Sequence, residues 1–252
     1  MVAGQSVTET LQDILRDAGR VLNDRFRRSV SYEEQTPHDL VTEVDRQVET
    51  ILISRIRQVS DCQCFYSEEA GVVGTAEASR WILDPLDGTA NFVFGVPHFG
   101  ISVALEHQGQ VVEAWVYNPV SEEMFHTSRD AGGSFLNGEP ITVSDTSRWD
   151  VALVAFGFSA TMENIRRYHE DWPDVFDRCR KGLGLLAPSL NICNVARGRI
   201  DAFIDFGSSM EGHAAAALVL QNAGGIARDY DGVDWDHTTR GIVATNVGLG
   251  VA

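Results

Sequence analysis

The chain has 252 residues, of which 44% are hydrophobic and 22% charged, as in ordinary globular proteins. This length fits one large domain or two small ones, and the composition excludes disorder, collagen and coiled coil for the chain as a whole. Twenty basic against 36 acidic residues give a net charge of −16. Such a field repels polyanions, so we expect neither nucleic acid nor an anionic membrane surface as a partner.

The sequence predicts a cytoplasmic protein. No run approaches the ~18 apolar residues of a bilayer span, and residues 1–13 have neither the basic start nor the apolar stretch of a signal peptide. Neither a disulfide framework nor a zinc site is indicated by the spacing of the cysteines, and we expect reduced thiols. The four are Cys62, Cys64, Cys179 and Cys193.

The first 60 residues predict two helices. Apolar residues recur at helical spacing over 5–28 and again over 40–59. Between them, the polar stretch 29–39 contains Pro37 and predicts a loop.

The next segment predicts an antiparallel sheet. Trp81, Ile82 and Leu83 form a buried strand that we expect to end at Asp84-Pro85, because proline has no N–H for a ladder. Strands separated by turn residues then follow. They cover 100–106, 111–117, 123–128 and 134–136, with turns at 131–133 and 137–138.

A short polar stretch, 145–149, predicts a boundary between an N-terminal half, 1–146, and a C-terminal half, 147–252. Strands and helices are segregated rather than strictly alternating, which favours a layered α/β (α+β) fold over a βα-barrel. The second half predicts strands at 151–156, 200–205 and 242–245, and helices at 162–178, 190–196 and 212–222.

The strongest chemical motif is Trp-Ile-Leu-Asp-Pro-Leu-Asp-Gly-Thr-Ala-Asn-Phe at 81–92. Asp84 and Asp87 on one tight turn can converge on a shared cation. The N–H groups of Asp87, Gly88 and Thr89 are available for phosphate if a helix starts there. The alternative is a simple strand turn with an aspartate as helix cap.

Two weaker acidic clusters accompany this motif. Glu68 follows the apolar pair Phe65-Tyr66, and residues 39–45 combine Asp39, Thr42 and Asp45. Either cluster alone is also typical of a solvated acidic patch or a capping set. Carboxylates with a hydroxyl, without a His/Cys cluster, favour a hard ion such as Mg²⁺.

With these motifs the sequence resembles the inositol monophosphatase family of lithium-sensitive, Mg²⁺-dependent phosphatases. The resemblance rests on Asp-Leu-Val-Thr-x-x-Asp at 39–45, Glu68-Glu69, the motif at 81–92, and Ala-Gly-Gly at 223–225. It implies a layered αβαβα sandwich and a homodimer. It also implies two or three Mg²⁺ ions and inhibition by Li⁺.

The resemblance also implies a metal site. Glu68, Asp84 and the carbonyl of Leu86 match ligands of a first ion. Asp84 and Asp87 match ligands of a second, and Asp45 with Glu68 matches the site of a third.

Catalytic and substrate roles follow in the same way. Thr89 with Glu68 matches the pair that positions and activates the attacking water, beside Asp45. The turn of Asp87, Gly88 and Thr89 matches the phosphate site, and Asp205 matches an acidic residue that contacts substrate hydroxyls.

The implied reaction is Mg²⁺-dependent hydrolysis of a small polyol or sugar phosphate monoester, similar to inositol 1-phosphate, by a metal-activated water. One alternative is a 3′-nucleotide (bisphosphate) phosphatase of the same superfamily. The other is a non-catalytic relative with a weakened second metal site.

One position departs from the family pattern. Counting back from Ala223, the aspartate that completes the second metal site is replaced by Gly212, with Glu211 before it and His213 after it. Glu211 could reach the ion in its place, His213 could contribute, or the second site could be weakened. We take Glu211 as the expected ligand.

Overall fold

The computed structural model describes residues 7–28, 31–36, 39–75, 78–158, 166, 175–207, 210–236, 239 and 241–250. The two predicted N-terminal helices are confirmed as α1 (Val7–Arg25) and α2 (Glu43–Val59). Each buries one apolar face, which includes Leu11 and Leu15 in α1 and Val48 and Leu52 in α2.

The start of α2 differs from the prediction. Residues 32–36 (β1, Tyr32–Thr36) and 39–42 (β2, Asp39–Thr42) form an antiparallel pair, so the expected loop and the helix start at residue 40 were wrong. Thr42 instead caps the helix. Its hydroxyl accepts from the amide of Val44 at 3.0 Å, and Asp45 accepts from the amide of Thr42 at 2.9 Å. This capping box fixes the first helical residue at Glu43.

The predicted meander is confirmed within an eight-stranded sheet of order β10-β9-β8-β7-β6-β5-β3-β4. The short helix α3 (Thr89–Val93) follows its central strand β5. The strands are β3 (Phe65–Ser67), β4 (Gly71–Val73), β5 (Ser79–Asp87), β6 (Gly100–His107), β7 (Gln110–Asn118), β8 (Glu123–Ser128), β9 (Ser134–Leu136) and β10 (Glu139–Ile141).

Strand β5 does not end at Asp84-Pro85 as expected. It continues to Asp87, which pairs with Gly100, while the register shifts between Asp84 and Asp87. Pro85 lies inside this irregularity, where its missing N–H interrupts no regular ladder position.

The C-terminal half forms a five-stranded sheet of order β12-β11-β13-β15-β14. The expected helix at 162–178 lies largely outside the described residues, which in this stretch are Arg166 and the last four, α4 (Val175–Arg178). Strands β12 and β14 were not predicted. The other elements are a 3-10 turn (Trp149–Val151), β11 (Leu153–Phe158), β12 (Lys181–Gly184), α5 (Pro188–Ala196), β13 (Ala202–Phe206), α6 (Met210–Asn222), β14 (Ile226–Arg228) and β15 (Ile242–Thr245).

The elements stack as layers, as the predicted α/β sandwich requires. Helices α1 and α2 pack on one face of the large sheet, in a cluster that includes Trp81 and Trp115. Helices α5 and α6 lie between the two sheets and share a core with both, for example with Ile82 of β5 and Phe203 of β13. The two halves share this core. The domain boundary at 145–149 stays a prediction.

The described residues can be compared with the expectations about membrane spans and about the cysteines. None of the helices found there is long and apolar enough to cross a membrane. The four cysteines, all within the described ranges, form no disulfide.

Candidate active site

Asp84 stands where the central strand meets the helices between the sheets. Alternation along β5 turns Ile82 toward α5 and α6, and Asp84 follows two residues later on the same face. It is 5% exposed, and its Oδ1 accepts from the amide of Leu86 at 3.1 Å. A side chain added at Gly212 in α6 would begin 3.9 Å from Asp84 Oδ2. The start of α6 therefore faces this carboxylate.

Gly88 makes the turn after Asp87 possible. Its φ of +91° lies in the left-handed region, and a Cβ there would come within 2.7 Å of the carbonyl oxygen of Leu186. Glycine is therefore needed both for the conformation and for the close approach of the two chain segments. Helix α3 begins at the next residue, Thr89, and its first amides have no partners within the helix.

Asp87 points to the start of α5 instead of standing free in the turn. Its Oδ2 accepts from the amide of Ser189 at 2.9 Å and from the Ser189 hydroxyl, and the amide of Leu190 is 3.4 Å away. The carboxylate thus caps α5, while its second oxygen has no hydrogen bond recorded in the described structure. The positive ends of α3, α5 and α6 surround Asp84 and Asp87, an arrangement that favours anions.

Glu68 is held at the end of β3 by a residue that the sequence did not single out. Glu49 in α2 is buried and accepts from the Ser67 hydroxyl and from the amide of Ala70 at 3.0 Å. This anchors the turn that carries Glu68, whose carboxyl lies near that of Asp84. The position of Glu49, four residues after Asp45 on the buried face of α2, was the available signal.

Thr89, Asp45 and Leu86 form a connected group beside these carboxylates. The Thr89 hydroxyl lies 3.1 Å from Asp45 Oδ1 and 3.0 Å from the carbonyl oxygen of Leu86. Since Asp45 Oδ2 accepts from Thr42, both oxygens of Asp45 are occupied. Asp45 therefore caps α2 and orients Thr89, and its role at a third ion remains a prediction.

Burial and mutual repulsion disfavour the charged form of the carboxyl groups in the site. Burial, followed by the nearby charges of Glu68 and Asp87, raises the pKa of Asp84 well above its usual value. Glu68 keeps exposed surface, but protein atoms crowd its carboxyl, and this desolvation raises its pKa to about 8. Burial also raises the pKa of Asp87 to about 6 and raises that of Asp45. The site thus favours protons or metal ions.

Asp205, the expected contact of substrate hydroxyls, lies in the interior of the protein. It is fully buried at the end of β13, and its Oδ2 lies 3.0 Å from Nε2 of His213, which is also fully buried. The neighbouring strand carries Gly157, where a Cβ would come within 2.7 Å of the Asp205 carboxyl. The imidazole at 213 thus binds this carboxylate, so contact between Asp205 and a substrate remains a prediction.

Comparison with known proteins identifies the family to which this geometry belongs. The model of the inositol monophosphatase family matches residues 4–250. The chain belongs to the inositol monophosphatase family. It is 36% identical over 225 residues to Nus factor SuhB of Pseudomonas aeruginosa, covering 86% of this chain and 83% of that protein. Inositol monophosphatase 2 of Solanum lycopersicum is 36% identical over 250 residues, covering 93% and 91%.

Solved structures of the family have the same fold. The extragenic suppressor protein suhB of Bartonella henselae superposes with a TM-score of 0.91 at 28% identity, covering 97% of this chain and 95% of that one. The family and the layered fold predicted from the sequence are confirmed, and family membership indicates a phosphatase.

The oxygen atoms in the candidate site of this inositol monophosphatase family member are of the kinds that bind a hard cation. Its donors are carboxylate, carbonyl and hydroxyl oxygens, as Mg²⁺ prefers, and Glu211 Oε2 is buried with no hydrogen-bond partner among the described residues. Within the same ranges, however, no three His, Cys, Asp or Glu side chains form a ready metal-binding group. The carboxyl groups of Glu68 and Asp84 lie close enough for each to shift the pKa of the other. A bound cation would offset the repulsion between them.

The raised pKa values predict a pH-dependent stability in the absence of metal. A carboxyl with a higher pKa in the folded state stabilises the fold below its unfolded pKa, and this contribution disappears as pH rises through the folded value. With a chelator present, Glu68→Gln should therefore gain melting temperature relative to the parent between pH 5 and pH 8. Thermal melts at four pH values would measure this gain. Glu139→Gln, in an exposed strand, is the control. A difference in melting temperature between Glu68→Gln and the parent that stays the same from pH 5 to pH 8 would contradict the prediction.

Proposed function

We propose that the chain is a Mg²⁺-dependent phosphatase that hydrolyses a small polyol or sugar phosphate monoester. The observation that carries this proposal is the position of Asp84, which lies near the charges of Glu68 and Asp87 and beside the starts of helices α3, α5 and α6. Buried carboxylates favour cations, and helix N-termini favour phosphate oxygens. A phosphate ester and divalent cations would satisfy both at one place.

In the proposed site, Glu68, Asp84, Asp87 and the carbonyl oxygen of Leu86 would hold the metal. Mg²⁺, when bound, acidifies a water molecule and neutralises phosphate charge. The Thr89 hydroxyl donates its hydrogen bond to Asp45, which leaves a Thr89 lone pair to accept a hydrogen bond from the attacking water. The amides of Gly88 and Thr89 at the start of α3 orient the phosphate. Asp87 holds α5 against this turn through Ser189.

A panel of phosphate monoesters tests the proposal. We expect release of phosphate from sugar and polyol phosphates with Mg²⁺, loss of activity with a chelator, and recovery on adding Mg²⁺. No described group of basic and aromatic side chains suggests a base-reading pocket, so adenosine 3′,5′-bisphosphate should have the lower kcat/KM. The reverse ranking would place the protein with the nucleotide phosphatases, and no hydrolysis of any ester would refute the proposal.

We also propose that the protein forms a homodimer. Phe94, Val96 and Leu186 are 72%, 42% and 42% exposed. Their two chain segments are joined by Asn91, whose amide donates to the carbonyl oxygens of His98 and Leu186. Exposed apolar side chains near one another favour a protein interface.

Phe94→Asp is expected to convert the dimer into a monomer, because a charge on this apolar surface would have to be desolvated in the interface. Light scattering coupled to size exclusion measures the mass. Val72→Asp, equally exposed but on β4, is the control and should remain dimeric. A dimeric Phe94→Asp would place the interface elsewhere.

A further inference from the structure

Glu211 is a buried acidic residue without an evident structural partner for one of its oxygens. It lies in the first turn of α6 and is 6% exposed. Its Oε2 is inaccessible to solvent and has no hydrogen-bond partner in the described structure. A buried carboxylate oxygen left in this way is costly unless a proton or a cation satisfies it.

The surroundings of Glu211 are acidic. Its charge is among the causes that raise the pKa values of Glu68 and Asp84, so its carboxyl lies within electrostatic reach of both. The backbone at this point is fixed, because the Ser102 hydroxyl of β6 donates to the carbonyl oxygen of Glu211 at 3.3 Å. The sheet therefore holds the start of α6 beside the Asp84 carboxylate.

The next residue, Gly212, leaves space in the same place. A Cβ at 212 would lie 3.9 Å from Asp84 Oδ2 and 3.7 Å from the Pro188 Cβ, both ordinary contact distances. A Cβ would therefore fit there and would lie beside Asp84. Position 212 thus faces Asp84 without a side chain, while a carboxylate is present one residue earlier.

We propose that Glu211 supplies the α6-side carboxylate for a divalent cation at Asp84, in place of a side chain at position 212. The inference rests on the proposed function and deepens it. Glu211 has one more methylene than aspartate and starts from a different side of the helix, so it reaches the ion with weaker preorganisation. Metal affinity is therefore set by a residue pair, in which a carboxylate at either 211 or 212 suffices.

Metal binding measured directly tests this pairing. Isothermal titration calorimetry with Mn²⁺ alone, without substrate, gives the affinity and the number of ions. We expect Glu211→Gln to weaken the affected site at least tenfold. Gly212→Asp should strengthen it in the parent and restore it in the Glu211→Gln background. Because Gly212→Asp keeps Glu211, it provides the test even if Glu211→Gln does not fold.

The competing explanation is that Glu211 only stabilises the helix end through the dipole. Glu43→Gln, at the first turn of α2, is the control for a dipole effect, and it also removes an exposed ion pair with Arg25. If Glu211→Gln lowers the melting temperature as Glu43→Gln does and leaves Mn²⁺ binding unchanged, the inference is wrong. The inference is also wrong if Gly212→Asp leaves the affinity for Mn²⁺ unchanged. A parent that binds Mn²⁺ and hydrolyses esters keeps the proposed function in either case, whereas a parent that does neither refutes both.

Discussion

Asp84→Asn is expected to lower kcat for phosphate ester hydrolysis about a thousandfold, equivalent to ~4 kcal/mol of transition-state stabilisation. Asp84 stands between Glu68, Asp87 and the start of α6, so its charge acts on every part of the proposed metal site. The amide of asparagine still offers an oxygen to the Leu86 amide. The fold should therefore survive, and the loss should reflect charge alone.

Steady-state rates with saturating Mg²⁺ and melting temperatures measure this outcome. Asp234→Asn is the control, because Asp234 is an exposed carboxylate paired with Arg228 at 3.3 Å. We expect parental rates for the control and parental melting temperatures, or slightly higher ones, for Asp84→Asn in a chelator. An Asp84→Asn protein with the parental kcat would remove Asp84 from the reaction.

The elements predicted correctly are those whose apolar residues form a recognisable local pattern. Helix α1 buries one face at helical spacing, and β6 and β7 are apolar runs that are mostly buried on both faces and separated by turn residues. Strands β12 and β14 lack this signal. The first contains Lys181, Gly182 and Gly184 and is largely exposed, and the second has three residues. Their strand conformation comes from pairing with β11 and β15, which no local pattern reports.

In the candidate site, too, some features could be predicted from the sequence and others could not. The turn of Asp84, Asp87 and Gly88 was predictable because its residues are adjacent in sequence. The partners of these carboxylates come from distant segments. Ser189, which binds Asp87, lies 102 residues further on, and the spacing of acidic residues gives no sign of it. His213, which pairs with Asp205, was considered only as a metal ligand.

Thr89→Ala is expected to lower kcat by about 10²–10³, with little change in KM, because it removes the hydroxyl proposed to orient the attacking water but none of the phosphate-binding amides. The Thr89 hydroxyl has a single proton and two acceptors nearby, Asp45 Oδ1 at 3.1 Å and the Leu86 carbonyl oxygen at 3.0 Å. Donation to either leaves its lone pairs free to accept from water. A water hydrogen-bonded in this way is aligned and made more nucleophilic.

Thr89→Ser separates this role from packing, because it keeps the hydroxyl and removes only a methyl group. We expect Thr89→Ser to retain most of the parental kcat, while Thr89→Val, similar in shape but without the hydroxyl, should resemble Thr89→Ala. Thr50→Ala, which removes an exposed helix hydroxyl, is the control. Equal activity in the serine and valine variants would mean that the hydroxyl plays no part. Asp45→Asn should have a smaller effect than Thr89→Ala, because its amide oxygen can still accept the hydrogen bond from the Thr89 hydroxyl but carries no charge to strengthen that bond.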